Sequence, residues 1–394
     1  MRRTIEKSLV TAALLLTIGC GASNPSDSGS DGEGIAAGIG YGTATRYLAA
    51  IAGTGPTHAG VTSADFNADG FPDIAVTDSV ASSVSILLNQ GDGTLGSASR
   101  YLAGLLPYAL VSADLNNDGI ADLAVANSRS DDLSVLIGNG DGTFALPVNY
   151  PSGLGPTDIA AIDVNDDGHL DLLGYYGEIS VHLNNGDGTF RSAPDAVVGE
   201  PSGSIAIAME VADFNGDGRD DIAVTYWPPG ASSSVITQLL AQENGQFLAS
   251  EPSHAVSGST EAMRSADVDC DGTLDLVTPL AGGGLLVQTG VPGEGLGEPQ
   301  LYETDSGTNA VEFGDFNLDG KLDLAVSFFL GEVAFINDVC DAQWAFNSTV
   351  IATVETAEAM TSPDLDQDGY PDLVVSTWFS PQIAVHLNTG EPMP

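Results

Sequence analysis

The chain has 394 residues and a formal net charge of −44 at pH 7, with 54 acidic residues against 10 lysines and arginines. This balance argues against nucleic acid as a partner, because binding to the phosphate backbone needs a basic surface. The same charge keeps a protein soluble and opposes contact with anionic membranes.

The first 19 residues are predicted to be a signal peptide. A basic start at residues 2–7 precedes the apolar run Leu9–Ile18, which is too short to span a bilayer. Residues 17–20 resemble the bacterial lipoprotein signal, in which cleavage before the cysteine leaves that cysteine lipidated. The lipoprotein pattern prefers Leu where this chain has Thr17, so a plain secretory signal is the alternative. We expect an exported protein of the bacterial cell envelope or surface, lipid-anchored at Cys20.

Residues 20–40 are predicted to be the lipidated cysteine and a flexible tether, because Gly, Ser, Asp and Asn dominate them. The tether would display the folded part, residues 41–394, where extracellular calcium reaches it. Contact with the membrane is expected only through the lipid anchor.

A nine-residue motif occurs seven times in the folded part, with successive starts 48 to 54 residues apart. A fixed period of this size indicates a repeat architecture. The seven copies span residues 65–73, 114–122, 163–171, 213–221, 267–275, 315–323 and 364–372.

Each copy is predicted to be a loop that binds one structural Ca2+ ion. Asp or Asn fills positions 1, 3, 5 and 9, and Ca2+ takes about six to eight oxygen ligands. Position 6 is always Gly, which has no Cβ to oppose the sharp turn, and position 7 varies freely, as expected if it coordinates through its carbonyl. Asp, Asn and Gly also favour plain turns, but seven copies with every ligand position filled favour a cation site.

The predicted ligands, at positions 1, 3, 5, 7 and 9, are Asp65, Asn67, Asp69, Phe71 and Asp73; Asp114, Asn116, Asp118, Ile120 and Asp122; Asp163, Asn165, Asp167, His169 and Asp171; Asp213, Asn215, Asp217, Arg219 and Asp221; Asp267, Asp269, Asp271, Thr273 and Asp275; Asp315, Asn317, Asp319, Lys321 and Asp323; and Asp364, Asp366, Asp368, Tyr370 and Asp372.

The repeats predict an all-β fold, a seven-bladed β-propeller of four-stranded blades. In the second repeat, strand patterns cover Tyr108–Ala113, Asp122–Ala126, Leu133–Ile137 and Val148–Tyr150, with a hairpin turn at Asn139–Phe144. Four short strands per repeat of about 50 residues are typical of a propeller blade.

The N-terminal strand is expected to complete the last blade and close the ring. The last repeat stops after its third strand, Ile383–Leu387, while Gly42–Ala50 echoes the fourth-strand segment Gly93–Gly104 of the first repeat. Closure removes the unpaired strand edges that an open ring would expose.

These repeats resemble FG-GAP, or VCBS-type, repeats, which build the integrin alpha-subunit propeller. The Asp-rich loops followed by Leu-Ala-Val are the specific part, and Gly-Asp-Gly-Thr-Phe hairpins at 140–144 and 186–190 add to the resemblance. The literal Gly-Ala-Pro motif is absent, and residues 287–298 and 337–344 lack the hairpin motif. The resemblance implies that the calcium loops join the first and second strands of each blade.

Cys270 lies in the fifth loop and Cys340 in a hairpin one repeat later. An exported protein can form a disulfide between them, and two free thiols are the alternative.

The face opposite the calcium loops is the candidate ligand face, as it is in integrin-type propellers. Aromatic residues follow the second strand in four blades, and exposed aromatics stack on sugars or anchor protein contacts. The alternative is that they fill gaps between blades. Trp227 and Trp378 are the preferred candidates within the set Tyr175, Tyr176, Tyr226, Trp227, Phe328, Phe329, Trp378 and Phe379.

An enzyme is the competing interpretation. His58, Tyr108, Glu261, Arg264 and Glu358 precede inner strands, so several of them could line the mouth of the central channel. A His, a Tyr and an Arg around such a cavity could abstract a proton from an acidic sugar. Some polysaccharide lyases are similar in using a propeller scaffold. These residues have no diagnostic spacing, however, so no catalytic residue and no organic cofactor is predicted.

The sequence thus predicts a monomeric, calcium-stabilised propeller that serves as an extracellular binding or adhesion module for a protein or polysaccharide. A carbohydrate-active, lyase-like enzyme and a passive structural component remain the alternatives, because a propeller fold does not fix a function.

Overall fold

The computed structural model describes residues 40–49, 60–193, 204–242, 246–256, 262–340, 344, 350–352, 357–377 and 381–390. The predicted signal peptide, the lipidation site Cys20, nearly all of the tether, and the candidate residues His58, Glu261, Trp378 and Phe379 lie outside these ranges. All of the regular structure in the described ranges is β, and none of it is a helix long and apolar enough to cross a membrane.

Seven four-stranded antiparallel sheets form the blades, as predicted. The N-terminal strand is β1 (Thr45–Leu48). From the inner to the outer strand, blade one contains β2 (Val61–Ala64), β3 (Asp73–Asp78), β4 (Ser83–Leu87) and β5 (Ser99–Leu102). Blade two contains β6 (Pro107–Ala113), β7 (Asp122–Asn127), β8 (Asp132–Leu136) and β9 (Val148–Pro151). Blade three contains β10 (Asp158–Ile162), β11 (Asp171–Tyr175), β12 (Ile179–Asn184) and β13 (Phe190–Ser192).

The remaining blades follow the same order. Blade four contains β14 (Ile205–Ala212), β15 (Asp221–Trp227), β16 (Ser234–Ala241) and β17 (Phe247–Val256). Blade five contains β18 (Arg264–Ala266), β19 (Asp275–Pro279), β20 (Leu285–Gln288) and, after the small ribbon β21 (Gly290–Val291) and β22 (Gly295–Leu296), β23 (Gln300–Tyr302). Blade six contains β24 (Thr308–Gly314), β25 (Asp323–Phe328), β26 (Glu332–Ile336) and β27 (Val350–Ala352). Blade seven contains β28 (Ala357–Thr361), β29 (Leu373–Thr377) and β30 (Gln382–His386).

The ring closes through the N-terminal strand, which confirms the prediction. β1 pairs antiparallel with β30, so that Thr45 lies opposite Val385 and Leu48 opposite Gln382. The first strands of successive blades contact one another around the whole ring, and β28 contacts β2. Blade seven is therefore built from both ends of the chain, and its outer strand covers the edge that β30 would otherwise expose.

The hydrophobic core lies between the blades. Second and third strands are short apolar runs, and the blades on either side cover both of their faces. Between blades one and two, Phe66 and Ile86 pack with Leu123 and Phe144, and the Phe66 and Phe144 rings meet edge to face with centroids 5.4 Å apart. Each fully buried side chain of this size contributes roughly 1.5–3 kcal/mol. Packing between neighbouring blades thus holds each one in place, and both flat faces of the ring are left to loops.

Candidate metal centres and the opposite face

All seven Asp-rich loops join the first and second strands of a blade and share one backbone form. Position 4 has a positive φ even where it is not glycine, as at Ala68 (58°) and Cys270 (60°). Position 6 is a glycine with φ near 90°, such as Gly70 at 90°. Left-handed backbone at two nearby positions curls the chain tightly, and glycine adopts that conformation without steric cost.

Hydrogen bonds inside each loop hold the side-chain oxygens over this turn. In the first loop the Asp69 N–H donates to Asn67 Oδ1 at 2.9 Å, the Gly70 N–H to Asp65 Oδ2 at 2.8 Å, and the Phe71 N–H to Asp69 Oδ1 at 2.9 Å. The fifth loop repeats the pattern, with the Gly272 N–H donating to Asp267 Oδ2 at 2.9 Å. Positions 1, 3 and 5 are therefore oriented by the backbone that they surround.

The aspartate at position 9 supports the loop by accepting backbone hydrogen bonds in the protein interior. Asp73 is fully buried; its Oδ2 accepts the Phe66 N–H at 3.0 Å and its Oδ1 accepts the Asn89 N–H at 2.8 Å. Burial raises the pKa of Asp73 to about 6; its two N–H donors oppose the rise, and the nearby Asp69 and Asp65 carboxylates add to it. A buried carboxylate among like charges favours a cation beside it.

The donor set fits a calcium ion. Carboxylate oxygens of Asp267, Asp269 and Asp275 lie within 4.8 Å of one another, as do those of Asp364, Asp366 and Asp368. Oxygen ligands at about 2.3–2.6 Å from one Ca2+ ion fall within such a distance of each other. In the seventh loop Asp364 Oδ2 accepts the Gly369 N–H at 3.0 Å, while its Oδ1 is buried with no hydrogen-bond partner among the described residues.

The variable side chains at position 7 contact the hairpin that follows the third strand of the same blade. A Cβ at Gly91 would lie 3.3 Å from the Phe71 ring, and the Lys321 ammonium pairs with Asp338. In the fourth loop the Arg219 guanidinium pairs with Asp217, the predicted ligand at position 5, at 2.5 Å. Arg219 therefore neutralises part of that loop, a feature that the repeat pattern did not indicate.

The sequence interpretation missed an amide that fastens each of three loops to the next blade. Asn184, at the end of β12, donates from Nδ2 to the Leu170 carbonyl of its own blade at 2.8 Å and to the Leu115 carbonyl of the second loop at 2.7 Å. Asn89 and Asn388 do the same, and Asn89 reaches Leu365 across the closure of the ring at 2.7 Å. The only sequence signal is the Asn two residues before the first glycine of the hairpin, which by itself also fits a turn.

A disulfide joins Cys270 of the fifth loop to Cys340, with a Cα–Cα distance of 5.6 Å. It crosses from blade five to blade six, and it settles the choice between a bridge and two free thiols.

Charged side chains on the first strands of the blades form ion pairs and hydrogen bonds with neighbouring blades. Arg264 Nε lies 3.4 Å from Glu312 Oε2, and Ser265 donates to Glu210 Oε1 through its N–H at 3.0 Å and its hydroxyl at 2.7 Å. Burial raises the pKa of Glu312 to about 7, against the opposing effect of Arg264. Because its guanidinium already has carboxylate partners, Arg264 is poorly placed to stabilise an anionic sugar, which weakens the lyase alternative.

The aromatic candidates after the second strands divide into buried and exposed residues. Tyr175 is fully buried, with its hydroxyl donating to the Thr225 carbonyl at 3.1 Å, and Tyr226 is also buried, so both fill gaps between blades. Trp227 is half-buried, and its indole N–H donates to the Ala231 carbonyl at 2.9 Å. Tyr176, at 38% exposure, is the most exposed of Tyr175, Tyr176, Tyr226 and Trp227.

Among the residues that the structure describes, aliphatic side chains make up most of the exposed apolar surface on that side. We call the loops that follow second and fourth strands, with the first-strand starts beside them, the far face, because antiparallel strands alternate in direction and place these loops opposite the Asp-rich ones. Its large exposed apolar residues within the described ranges are Val80, Leu105, Leu154, Tyr176, Ile205 and Leu330. Leu330 is 78% exposed and Leu154 is 74% exposed.

Comparisons with known proteins support the repeat assignment and the fold. The FG-GAP-like repeat model matches residues 65–125, 114–174 and 172–224, each of which contains Asp-rich loop sequence. No curated protein matches this chain.

Solved propellers are similar across almost the whole chain. A crystal structure of BBS1N in complex with ARL6DN, soaked with mercury, shares 14% identity, covers 90% of this chain and 99% of its own, and has a TM-score of 0.60. The lead-soaked form has the same identity and TM-score, with coverages of 88% and 96%. Saccharomyces cerevisiae Sqt1 shares 10% identity, with coverages of 88% and 97% and a TM-score of 0.52. The protein is thus a seven-bladed β-propeller that carries FG-GAP-like repeats.

Proposed function

We propose that this protein is an exported, lipid-anchored propeller that is stabilised by calcium and binds a protein partner outside the cell through its far face. The observation that carries the proposal is the division of the ring: the Asp-rich loops gather on one face, and Val80, Leu105, Leu154, Ile205 and Leu330 expose their aliphatic side chains on the other. Calcium would stabilise the ring, and the far face would make the contact.

The charge of the loops supports the calcium role. Each loop places three or four carboxylates around one turn, and burial holds the pKa of the fifth loop's Asp275 up at about 7. A cation bound by the folded loop removes this repulsion, and its binding energy becomes stability of the fold. One site at a calcium concentration 100 times its Kd adds about 2.7 kcal/mol.

Chelation tests this role. We expect a calcium chelator to lower the melting temperature of residues 41–394 and added Ca2+ to restore it, because the loop carboxylates then repel one another again. The control is the same chelator already saturated with calcium. A melting temperature that chelation leaves unchanged would contradict the calcium role.

The partner class follows from the chemistry of the far face. Sugars stack on exposed aromatic rings, whereas Leu154, Leu330 and Ile205 are aliphatic, and aliphatic side chains bury well against another protein. BBS1N, the similar propeller, was crystallised in complex with a protein, ARL6DN. Both observations favour a protein partner over a polysaccharide.

Binding to the surface of the native cells tests the partner class. We expect the labelled calcium-loaded domain to bind these cells, and Leu154→Ser with Leu330→Ser to reduce binding at least tenfold. The matched control is Leu146→Ser, since Leu146 is 85% exposed but follows the third strand on the Asp-rich face. Loss of binding after protease treatment of the cells supports a protein partner. Binding that survives protease but not glycan removal would instead identify a polysaccharide.

A further inference from the structure

We propose that the Cys270–Cys340 disulfide makes the fifth loop the tightest calcium site of the oxidised protein. The inference rests on the proposed calcium role and assigns an order among the seven loops. The chain supplies its own comparison, because the seventh loop has the same number of carboxylates and no cross-link.

The fifth and seventh loops have four aspartates at the ligand positions, whereas each of the other five has three and an asparagine. Calcium affinity in such loops depends on the number of charged ligands and on the rigidity of the site. Because the two loops have equal charge, any difference in affinity between them must come from rigidity or from their surroundings.

The disulfide fixes the fifth loop at position 4. Cys270 occupies position 4, between the ligands Asp269 and Asp271, and its φ of 60° is the left-handed conformation that the loop needs. An L-residue adopts that conformation at a cost of roughly 1–2 kcal/mol, so a free chain would leave it readily. The bond to Cys340 holds position 4 where the turn requires it.

The other end of the bond is anchored well. Val339 is 1% exposed and its N–H donates to the Leu322 carbonyl at 2.9 Å. Trp344 stacks on Tyr302 of blade five with ring centroids 4.7 Å apart, and its indole N–H donates to the Val339 carbonyl at 2.9 Å. Cys340 therefore sits on a segment packed against two blades, and the disulfide transmits that rigidity to the loop.

The disulfide stands where other blades use an amide. Asp338 occupies the place of Asn89, Asn184 and Asn388, since its N–H likewise donates to the position-9 aspartate, Asp323, at 2.9 Å. A carboxylate has no N–H to donate to the preceding loop. Two residues later Cys340 makes the connection covalently.

The seventh loop is held only by hydrogen bonds at the same points. Its position-4 residue, Gln367, donates from Nε2 to the Gly70 carbonyl at 2.7 Å, and Asn89 donates to the Leu365 carbonyl at 2.7 Å. Gln367 is exposed, so water competes for its bond. The seventh loop must therefore order position 4 when calcium binds, whereas the fifth is already ordered.

The expected effect is a calcium affinity about fivefold weaker in the fifth loop once the bond is lost. Fixing the backbone of one residue costs about 1 kcal/mol, and a free-energy difference of 1.4 kcal/mol is tenfold in affinity. The affinity of the seventh loop should not change.

Hydrogen exchange read by mass spectrometry during a calcium titration measures each loop separately. The full chain is compared in three forms: oxidised, reduced with a phosphine, and carrying Cys270→Ser with Cys340→Ser. Peptides over 267–275 and 364–372 report the calcium concentration at which each loop gains half of its protection. The 364–372 peptide is the internal control for folding in every form.

In the oxidised protein we expect 267–275 to be protected at lower calcium than 364–372, and in both other forms we expect only its midpoint to rise, by about fivefold. Equal midpoints in the oxidised protein, or a shift of both peptides together, would overturn the inference, since the disulfide would then act on the whole fold or not at all. Absence of calcium-dependent protection in every loop would instead overturn the calcium role itself.

Discussion

Replacement of Asn184 by alanine removes a fastening between blades two and three. Asn184 is 3% exposed, and its Nδ2 donates to the carbonyls of Leu115 and Leu170 at 2.7 and 2.8 Å. Its Oδ1 accepts the Gly186 N–H at 2.9 Å. Alanine at this position therefore leaves two acceptors and one donor without their partners.

The magnitude depends on which of these groups water can reach. Leu115 is fully buried, whereas Leu170 and Gly186 are only half-buried and can be hydrated again. One stranded buried carbonyl costs about 1–3 kcal/mol, and each lost hydrogen bond contributes about 1 kcal/mol, so we expect a loss near 3 kcal/mol. With an unfolding entropy of about 2.1 cal/mol/K per residue over roughly 350 residues, the melting temperature falls by about 4 °C.

Asn185→Ala is the matched control, one residue away in the same hairpin. Asn185 is exposed, and its Nδ2 donates only to Thr189 Oγ1 at 2.9 Å, so its loss should change the free energy of unfolding by less than about 0.5 kcal/mol. Urea denaturation compares the two variants, and hydrogen exchange over residues 114–122 locates the effect. Equal destabilisation by both variants, or no loss of protection in that loop, would refute the role of the amide.

Three further predictions concern the inner ring and the loop backbone. Arg264→Met leaves the buried Glu312 carboxylate without its guanidinium partner. Because a third of the Arg264 side chain is exposed, we expect the free energy of unfolding to fall by about 2 kcal/mol, less than for a fully buried pair. Urea denaturation measures this loss, and an unchanged midpoint would contradict it. Burial raises the pKa of Glu312 to about 7, so the stability that its protonated form contributes is complete below about pH 4.5 and is lost as the pH rises to 7. Between pH 5 and 8, at constant calcium, the free energy of unfolding of the wild type should therefore fall by up to about 3 kcal/mol relative to that of Glu312→Gln. Parallel pH profiles of the two proteins would contradict this. Gly70→Ala meets no neighbour but has a φ of 90°, so strain alone should cost about 1–2 kcal/mol in thermal denaturation, whereas Gly42→Ala, with an ordinary backbone conformation, should be near neutral.

The sequence alone determined the number of blades, the loops and the closure of the ring. Each of these depends on local chemistry that repeats: an Asp-x-Asn-x-Asp-Gly segment sets its own turn, and the apolar run after it forms a buried strand in any blade. The echo between Gly42–Ala50 and Gly93–Gly104 was enough to place β1 in blade seven, because equivalent positions in a repeat carry equivalent residues.

Only the tertiary structure decided how the blades hold one another and which residues are free to bind. Asn89 and Leu365 meet across 276 residues of chain, and Cys270 and Cys340 across 70. Tyr175 and Tyr176 are neighbours in sequence, yet one fills the core and the other faces solvent. A repeating pattern specifies dihedral angles and burial within one blade, whereas these contacts arise at the interface between two blades, where the partner of each side chain depends on how the blades are oriented.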